Sequence, residues 1–289
     1  MKKFELDYSS STTYQGRTLY RIKALMTFTT TSGEIIHKGD LGGYVQSEKN
    51  LDQNGNSWIF KGAIAMDNAH VLNDAQLHND ALIKDKAVIE NKASAHNNVK
   101  ITGNAHVSEE AAITRNAQSR GHATGRGVAF VPGDASIGGC ATITDNAQVR
   151  DQTDIRGHAF VGHRAIISNF AQISDGAHIT GNATVNGHAY ICDHAHIEEH
   201  ANISGDATIC DYAFIKKHTH VSGDLAISDY TILNLPENAK PITSTKDYAT
   251  FKGFNNTHIT YIIDTQTWLQ SDKDRHILFE GNTKDFIAH

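Results

Sequence analysis

Two copies of the triplet Arg-Gly-His are the part of this sequence that points most directly to chemistry. Arg120-Gly121-His122 and Arg156-Gly157-His158 begin 36 residues apart, and an alanine follows each triplet. A guanidinium group offers forked donors to a phosphate or a carboxylate. An imidazole can act as a general base or as a cation. The triplets therefore predict two arginines that bind a small anionic molecule and two histidines that are catalytic.

A six-residue repeat positions these triplets. Of the 30 positions taken every sixth residue from 57 to 231, 24 are alanine, and of the 30 positions two residues later, 26 are isoleucine, valine or leucine. Residues two apart point to the same side of a strand, so the alanine and the branched residue share an interior. The two residues before each alanine are mostly Gly, Asn, Asp or His, and the Gly, Asn and Asp among them tolerate left-handed backbone and favour a corner. No hexad carries an insertion or a deletion.

The spacing of the repeat, as in Val107-Ser-Glu-Glu-Ala111-Ala-Ile113, resembles that of the hexapeptide-repeat acyltransferase superfamily. The segment from Gly42 to Ile59 resembles the start of the β-helix in the YdcK-like branch of putative acetyltransferases. The resemblance implies an all-β fold, a left-handed parallel β-helix with three hexads per coil, and its handedness rests on the resemblance alone. Thirty hexads then make about ten coils, capped by small β-rich segments at both ends.

With three hexads per coil, residues 18 apart lie on neighbouring coils, and the two Arg-Gly-His triplets lie about 10 Å apart. Gly138-Gly139-Cys140 comes between them, so we expect a notch with a glycine floor and Cys140 at its edge. Arg126 is nearby, and the interior positions Ser119 and Gly125 lack a branched side chain. The predicted ligand-binding residues are therefore Arg120, Arg126, Cys140 and Arg156. The alternative is that Arg-Gly-His is only a recurring corner sequence.

A second candidate site is the column His178 and His196, with His194 at the neighbouring corner. A metal would need a third converging ligand, so we predict no metal there. Cys192 and Cys210 stack one coil apart, and we expect them to be inert neighbours with free thiols rather than a bridge or a metal pair. Three cysteines in a long chain indicate a reducing compartment.

The ends of the chain break the repeat. Residues 1–56 are predicted to form an N-terminal cap, with a half-buried strand around 20–28 and a short strand at Ile35-Ile36. The hexads make one domain over 57–235. Pro236 and Pro241 mark a boundary, and 236–289 is predicted to be a small module. Its expected elements are strands over 248–251, 257–263, 267–269 and 276–279 and a helical turn beginning at residue 282 or 283.

Composition excludes several classes of function. The formal net charge of −6 and the absence of a long Lys/Arg run argue against generic nucleic-acid binding. The first residues contain no apolar segment of a secretory signal, and no stretch approaches a membrane span. Cytoplasm is the expected location, and a small local anion site is compatible with these properties.

Two hypotheses of function follow. The first is a trimeric acyltransferase that uses acetyl-CoA or another acyl-CoA, with a histidine at a subunit interface activating a small-molecule acceptor, as the resemblance implies. The missing extruded loop counts against it. The second is a non-catalytic trimer that binds a small anionic ligand such as a nucleotide, or acts as a structural or effector component. Ice binding is disfavoured because no face shows a regular Thr ladder.

Overall fold

The computed structural model describes residues 2–272 and 274–288. The chain forms two compact units, Met1–Asp151 and Gln152–His289. In both units the hexads build three-sided coils of short parallel strands, and the fold is a left-handed parallel β-helix. The first unit contributes sixteen coil strands and the second fourteen, and three strands make one coil. The predicted fold class of about ten coils is therefore confirmed.

Each hexad forms a strand of two to four residues followed by a turn. The alanine and the branched residue two positions later are both buried, as in Ala87 and Ile89. The turn passes through a left-handed residue, as at Asp85 with φ 63° and Asn91 with φ 58°. Asp, Asn and Gly adopt this conformation at low cost, which explains why they dominate these positions.

Strands 18 residues apart pair in parallel and in register, as in Val88 with His106 and His178 with His196. The coil strands of the first unit are Trp58–Ile59, Ile64–Ala65, His70–Val71, Gln76–Leu77, Leu82–Ile83, Val88–Ile89, Ser94–His96, Lys100–Ile101, His106–Val107, Ala112–Thr114, Gln118–Ser119, Thr124–Gly125, Phe130–Val131, Ser136–Ile137, Thr142–Ile143 and Gln148–Val149. Those of the second unit are Asp154–Ile155, Phe160–Val161, Ile166–Ile167, Gln172–Ile173, His178–Ile179, Thr184–Val185, Tyr190–Ile191, His196–Ile197, Asn202–Ile203, Thr208–Ile209, Phe214–Lys217, His220–Val221, Ala226–Ile227 and Ile232–Leu235.

The N-terminal cap begins with a hairpin of Phe4–Tyr14 and Arg17–Ala24. The second of these strands pairs antiparallel with Leu41–Val45, which in turn pairs in parallel with the coil strand Ile64–Ala65. The edge of the first coil is thereby covered, as a β-helix requires. The predicted strand around 20–28 is present with a shifted boundary, whereas the strand Phe4–Tyr14 was missed because its Ser/Thr run has no apolar alternation. The remaining elements are Phe28–Thr29, Ile35–Ile36 and the 3₁₀ helix Glu48–Asn50.

The ammonium group of Lys3 closes the backbone of the first coil. Its Nζ donates to the carbonyl oxygens of Asn54, Gly55 and Ser57 at 3.4, 3.3 and 2.9 Å. Burial lowers the pKa of Lys3 to about 8. The carbonyl groups at the end of the coil, which no further strand pairs, thus gain a donor.

The C-terminal module is a four-stranded antiparallel sheet in the second unit. Its elements are Tyr248–Lys252, the 3₁₀ helix Phe254–Asn256, His258–Ile262, Thr267–Ser271, Ile277–Asn282 and the helix Thr283–Ala288. The four strands and the final helical turn predicted after Pro241 are confirmed. Thr260 accepts a hydrogen bond from the backbone N–H of Ile232 at 3.2 Å, and Glu280 pairs with Lys217 at 3.0 Å, so the sheet covers the last coil of its unit. The domain boundaries at 56 and 235 stay a prediction.

Membrane spans can be assessed from the helices that the structure describes. Within residues 2–272 and 274–288, no helix has both the length and the apolar composition that crossing a bilayer requires.

The cysteines correct one expectation. Cys192 and Cys210 form a disulfide, with their Cα atoms 4.7 Å apart. They occupy the same hexad position on neighbouring coils, which places the two Cα atoms within the range that a disulfide spans, roughly 4.4–6.8 Å. The expectation of free thiols at these two positions was therefore wrong, and only Cys140, which is exposed, remains a free cysteine among the residues described. Two of the three cysteines therefore no longer indicate a reducing compartment.

We predict that a thiol titration of the denatured protein, prepared without reductant, finds one thiol per chain, that of Cys140. Reduction before denaturation should release the thiols of Cys192 and Cys210 and raise the count to three. In a Cys210→Ser variant the unreduced protein should show two thiols. Three thiols in unreduced wild-type protein would contradict the bridge.

The interior of the first unit has a gap at Gly125. This residue is buried and pairs in register with Val107 and Ile143, where a branched side chain is the rule. A Cβ atom added at Gly125 would meet no atom within 4 Å beyond its chain neighbours. Its backbone does not need positive φ, so a larger residue can fill the space without strain.

We predict that Gly125→Val stabilises the protein by about 0.5–2 kcal/mol, since it fills a gap and reduces the entropy of the unfolded chain. The midpoint of urea unfolding, followed by circular dichroism, measures the change. Gly121→Ala is the matched control. Gly121 has a φ of +70°, and its added Cβ would lie 2.8 Å from the carbonyl oxygen of Gly139, so this variant should be less stable than wild type. A lower midpoint for Gly125→Val would contradict the prediction.

His78 titrates abnormally because it is enclosed by other rings. Its ring stacks between those of Phe60 and His96 at centroid distances of 4.1 and 4.2 Å. Its Nε2 lies 2.9 Å from the side-chain amide of Gln76, and a Gln76 amide N–H donating to it satisfies both groups. Burial, and next the neighbouring His96, lower the pKa of His78 to about 4.

His78 therefore makes stability depend on pH. In the unfolded chain its pKa is about 6.5, so the unfolded state takes up a proton before the folded state does. The contribution of His78 to the free energy of unfolding is therefore fully present above pH 6.5. It is lost as the pH falls toward 4, and the loss is at most about 3 kcal/mol. In His78→Phe, which keeps the stack, we expect a smaller loss of the free energy of unfolding between pH 7 and 4. Equal losses in wild type and variant would contradict the assignment.

Candidate functional site

The first unit holds four of the residues predicted for the notch. The side chain of Arg120 lies across Gly138 on the next coil, since a Cβ added to that glycine would be 3.4 Å from the Arg120 Nε. The His122 Nε2 lies 3.3 Å from the side-chain amide nitrogen of Asn104. Cys140 is exposed at the corner beyond. These positions place an arginine, a histidine and a thiol along neighbouring corners of one unit.

Arg126 is held by a different partner. Its Nε donates to the Thr144 hydroxyl at 3.3 Å, one coil further along the same face. The interior residue Ser119 is buried. The structure thus places Arg126 over the face that contains the Gly125 gap.

Arg156 and His158 belong to the second unit, so the predicted notch draws on residues of both units and stays a prediction. The Arg156 Nε donates to the Asp154 carboxylate at 2.8 Å, and an Nη2 contact to the same oxygen completes an ion pair. The hydrogen bond and the charge of Asp154 raise the pKa of Arg156. Because Asp154 neutralises this guanidinium, Arg156 is less able to bind an anion than the sequence indicated. His158 is exposed.

The second candidate column forms a ring stack on one face of the second unit. His178 and His196 stack with their centroids 4.8 Å apart and their planes 10° from parallel. Phe160 lies 5.5 Å from His178, and Phe214 lies 5.8 Å from His196 with its ring edge-on. His194, at the next corner, stacks on Tyr212 instead, at 5.2 Å. The structure therefore brings His178 and His196 together and turns the ring of His194 into a separate stack.

Glu198 completes this column. The His196 Nδ1 and the Glu198 carboxylate are 3.1 Å apart, a distance at which Nδ1–H donates to the carboxylate. The hydrogen bond from His196 is the largest cause that lowers the pKa of Glu198, which therefore stays ionised. In the neutral form of such a ring, a donor at Nδ1 leaves Nε2 as the nitrogen that can accept a proton. Sequence inspection missed Glu198, although it lies two residues from His196 and so points to the same side of the chain.

The ring of His178 is kept neutral. Burial lowers its pKa, and the charges of His196 and then of Arg275 lower it further. A neutral His178 stacked on His196 presents an apolar ring face instead of a second cation.

Two cations lie beside the column. Arg275, in the loop before the last strand of the C-terminal module, donates from Nη1 to the His194 carbonyl oxygen at 3.1 Å. Its guanidinium carbon is 6.0 Å from the centroid of the Phe214 ring, and the Lys216 Nζ is 5.0 Å from the same centroid. Both cations lower the pKa of Glu198 through their charge. No repeat pattern marks Arg275, so nothing in the sequence could have joined it to this column.

Within residues 2–272 and 274–288, two groups of side chains have donors close enough for a metal. Cys192, Asp193 and Cys210 form one group, and Asp272, Asp274 and His276 form the other, each with donor atoms within 4.8 Å of one another. The sulfurs of the first group are bonded to each other. In the second group the Asp272 carboxylate already pairs with the His276 Nδ1 at 2.9 Å. Neither group includes a residue of the His196 column.

Comparisons with known proteins bear on the fold. No protein-family model matches the chain, and no curated protein matches it. Among solved structures, the chain is similar to the UDP-N-acetylglucosamine acyltransferase from Campylobacter jejuni, at 17% identity and a TM-score of 0.25, over 52% of this chain. The match spans 66% of the enzyme's chain, just under two thirds of its length. At this identity the likeness concerns the fold alone, and at this TM-score it carries no argument about activity. The counted hexads and the three-sided coils are what support the β-helix fold.

Proposed function

We propose that the chain is an acyltransferase that moves an acyl group from an acyl-CoA thioester to a hydroxyl or amine of a small acceptor, with His196 as the general base. The observation that carries the proposal is the 3.1 Å contact between the His196 Nδ1 and Glu198. It fixes the tautomer in which Nε2 can accept a proton. The proposal includes the finer assignments that the sequence resemblance implies, namely the YdcK-like branch, a homotrimer, a site at a subunit interface and a cytoplasmic location.

The reaction follows from the roles of these two residues. The His196 Nε2 takes the proton from the acceptor O–H or N–H as that atom attacks the thioester carbonyl carbon. The tetrahedral intermediate collapses with cleavage of the C–S bond, and the imidazolium returns its proton to the departing thiolate. Glu198 stabilises the imidazolium while it exists, because its carboxylate accepts the hydrogen bond from Nδ1. Glu198 is thus a positioning residue, and His196 is the catalytic one.

We predict that purified protein releases CoA from acetyl-CoA in the presence of an acceptor drawn from a metabolite panel, with the acylated product found by mass spectrometry. His196→Asn should lower kcat by roughly 10²- to 10⁴-fold, the usual contribution of a general base. Glu198→Gln should lower kcat less and shift the acidic limb of the pH profile, which a purely structural role would leave in place. His188→Asn, an exposed histidine stacked on Phe170, is the control and should keep full activity.

Three results would contradict the proposal. Loss of turnover in His122→Ala or His158→Ala with full activity in His196→Asn would move the catalytic site to the Arg-Gly-His corners. Full activity in all three variants would show that none of these histidines is the general base. A stoichiometric, unaltered anionic molecule that is lost in Arg120→Ala would favour the non-catalytic binding function, which the position of Arg120 across Gly138 suits.

A further inference from the structure

An unused pair of cations lies beside the proposed base. Arg275 and Lys216 both lie within 6.0 Å of the Phe214 ring centroid, and the His196 ring is 5.8 Å from the same point. Arg275 spends one N–H group on the His194 carbonyl oxygen. Within residues 2–272 and 274–288, no acceptor bonds its other N–H groups, and no carboxylate pairs with Lys216. Both cations therefore have donors to offer.

Two carboxylates near these cations already accept hydrogen bonds. Glu198 accepts the hydrogen bond of His196. In the loop that carries Arg275, the Asp272 Oδ1 accepts the backbone N–H groups of Asp274 and His276, and its Oδ2 pairs with the His276 Nδ1. The neighbouring Lys217 is paired with Glu280. Arg275 and Lys216 thus both act through their charge on Glu198, whose carboxylate is already hydrogen-bonded to His196.

We propose that Arg275, Lys216 and the face of Phe214 form a subsite for an anionic group, a carboxylate or a phosphate, of the molecule that reacts at His196. A guanidinium fork binds such a group through two parallel hydrogen bonds, and an ammonium adds a point charge. Phe214 provides the apolar floor between the anion and the imidazole. The inference rests on the proposed function, and it makes the substrate an anion whose reactive atom lies a few ångströms from its charged end.

The loop of Arg275 explains why the C-terminal module belongs to this site. The His276 Nδ1 is hydrogen-bonded to the Asp272 carboxylate, and this hydrogen bond raises the pKa of His276 above its usual value. This contact closes the loop on itself next to Arg275. The link from Arg275 to the His194 carbonyl oxygen then fastens the loop to the coil that contains His196. The β-helix provides the base, and the appended sheet provides the group that selects the substrate.

The test uses full-length protein with ring-labelled histidines and NMR titrations of inorganic phosphate, acetate and CoA. We expect saturable shifts of the His178 and His196 resonances with phosphate. The Kd should rise about tenfold or more in Arg275→Gln, because the variant loses the charge-assisted, two-pronged contact of the guanidinium with the anion. Lys216→Gln should show a smaller rise. Arg164→Gln, an exposed arginine of the same unit, is the matched control and should bind as wild type does.

The outcomes separate the subsite from the proposed function. Unsaturable shifts, or an unchanged Kd in Arg275→Gln and Lys216→Gln, overturn the subsite even where His196-dependent turnover is found. Arg275-dependent phosphate binding without any turnover leaves the subsite standing and removes the acyltransferase. Displacement of phosphate by CoA assigns the anion to the donor, and simultaneous binding of both assigns it to the acceptor. The Gln side chain in Arg275→Gln still offers a donor to the His194 carbonyl oxygen, so we expect this variant to fold. Circular dichroism checks that it does. Lys216→Gln tests the subsite independently of that contact.

Discussion

In-register stacking every 18 residues is the constraint on which the rest of the molecule depends. Each side chain has a neighbour of the same hexad position one strand spacing away, about 4.8 Å. On the inside this favours alanine and β-branched residues, since the interior column has room for little else. On the outside it favours side chains that tolerate a close copy of themselves. Flat rings and short amides do, and the stacks of His200 on His218 and of Asn79 on Asn97 show the result.

Stacking also shifts the chemistry of the histidines. A ring enclosed between two others loses water on both faces, and burial disfavours the charged form. Burial is the largest cause of the lowered pKa at both His78 and His178. A histidine in such a ladder becomes a neutral apolar surface unless a carboxylate holds it. Among the stacked histidines His78, His178 and His196, only His196 has a hydrogen bond to a carboxylate in the part of the chain that the structure describes. This difference of partner, not of residue type, is why His196 is the proposed base.

The coils could be predicted from the sequence, because the hexad spacing determines which strands pair and which side chains point into the interior. The sequence placed Cys192 above Cys210, but the expectation of free thiols there was wrong, because stacking on neighbouring coils brings the two Cα atoms within reach of a disulfide. It named His178 and His196 as one column, with His194 at the neighbouring corner, and did not rank them, since Glu198 was not counted as part of the site. The strand Phe4–Tyr14 could not be predicted because its pairing, not its pattern, makes it a strand. Arg275 was out of reach for a different reason. It lies 81 residues from His194 in a module with no repeat, and only the fold brings the two together.

In a β-helix without insertions, the corners of successive coils resemble one another, so the coils alone do not define a unique place for a substrate. Another element must make one corner different from the rest. The second unit has such an element at its end. Thr260 and Glu280 of the terminal sheet contact the last coil and cover it. The loop that carries Arg275, between two strands of the same sheet, reaches back to His194 on an earlier coil. Under the proposed function, capping and recognition use the same sheet. A solenoid needs its cap to remain monodisperse, so the segment that stabilises the end is always present to complete the site. A chain of this design can change its ligand by altering one loop of the cap while every coil stays the same.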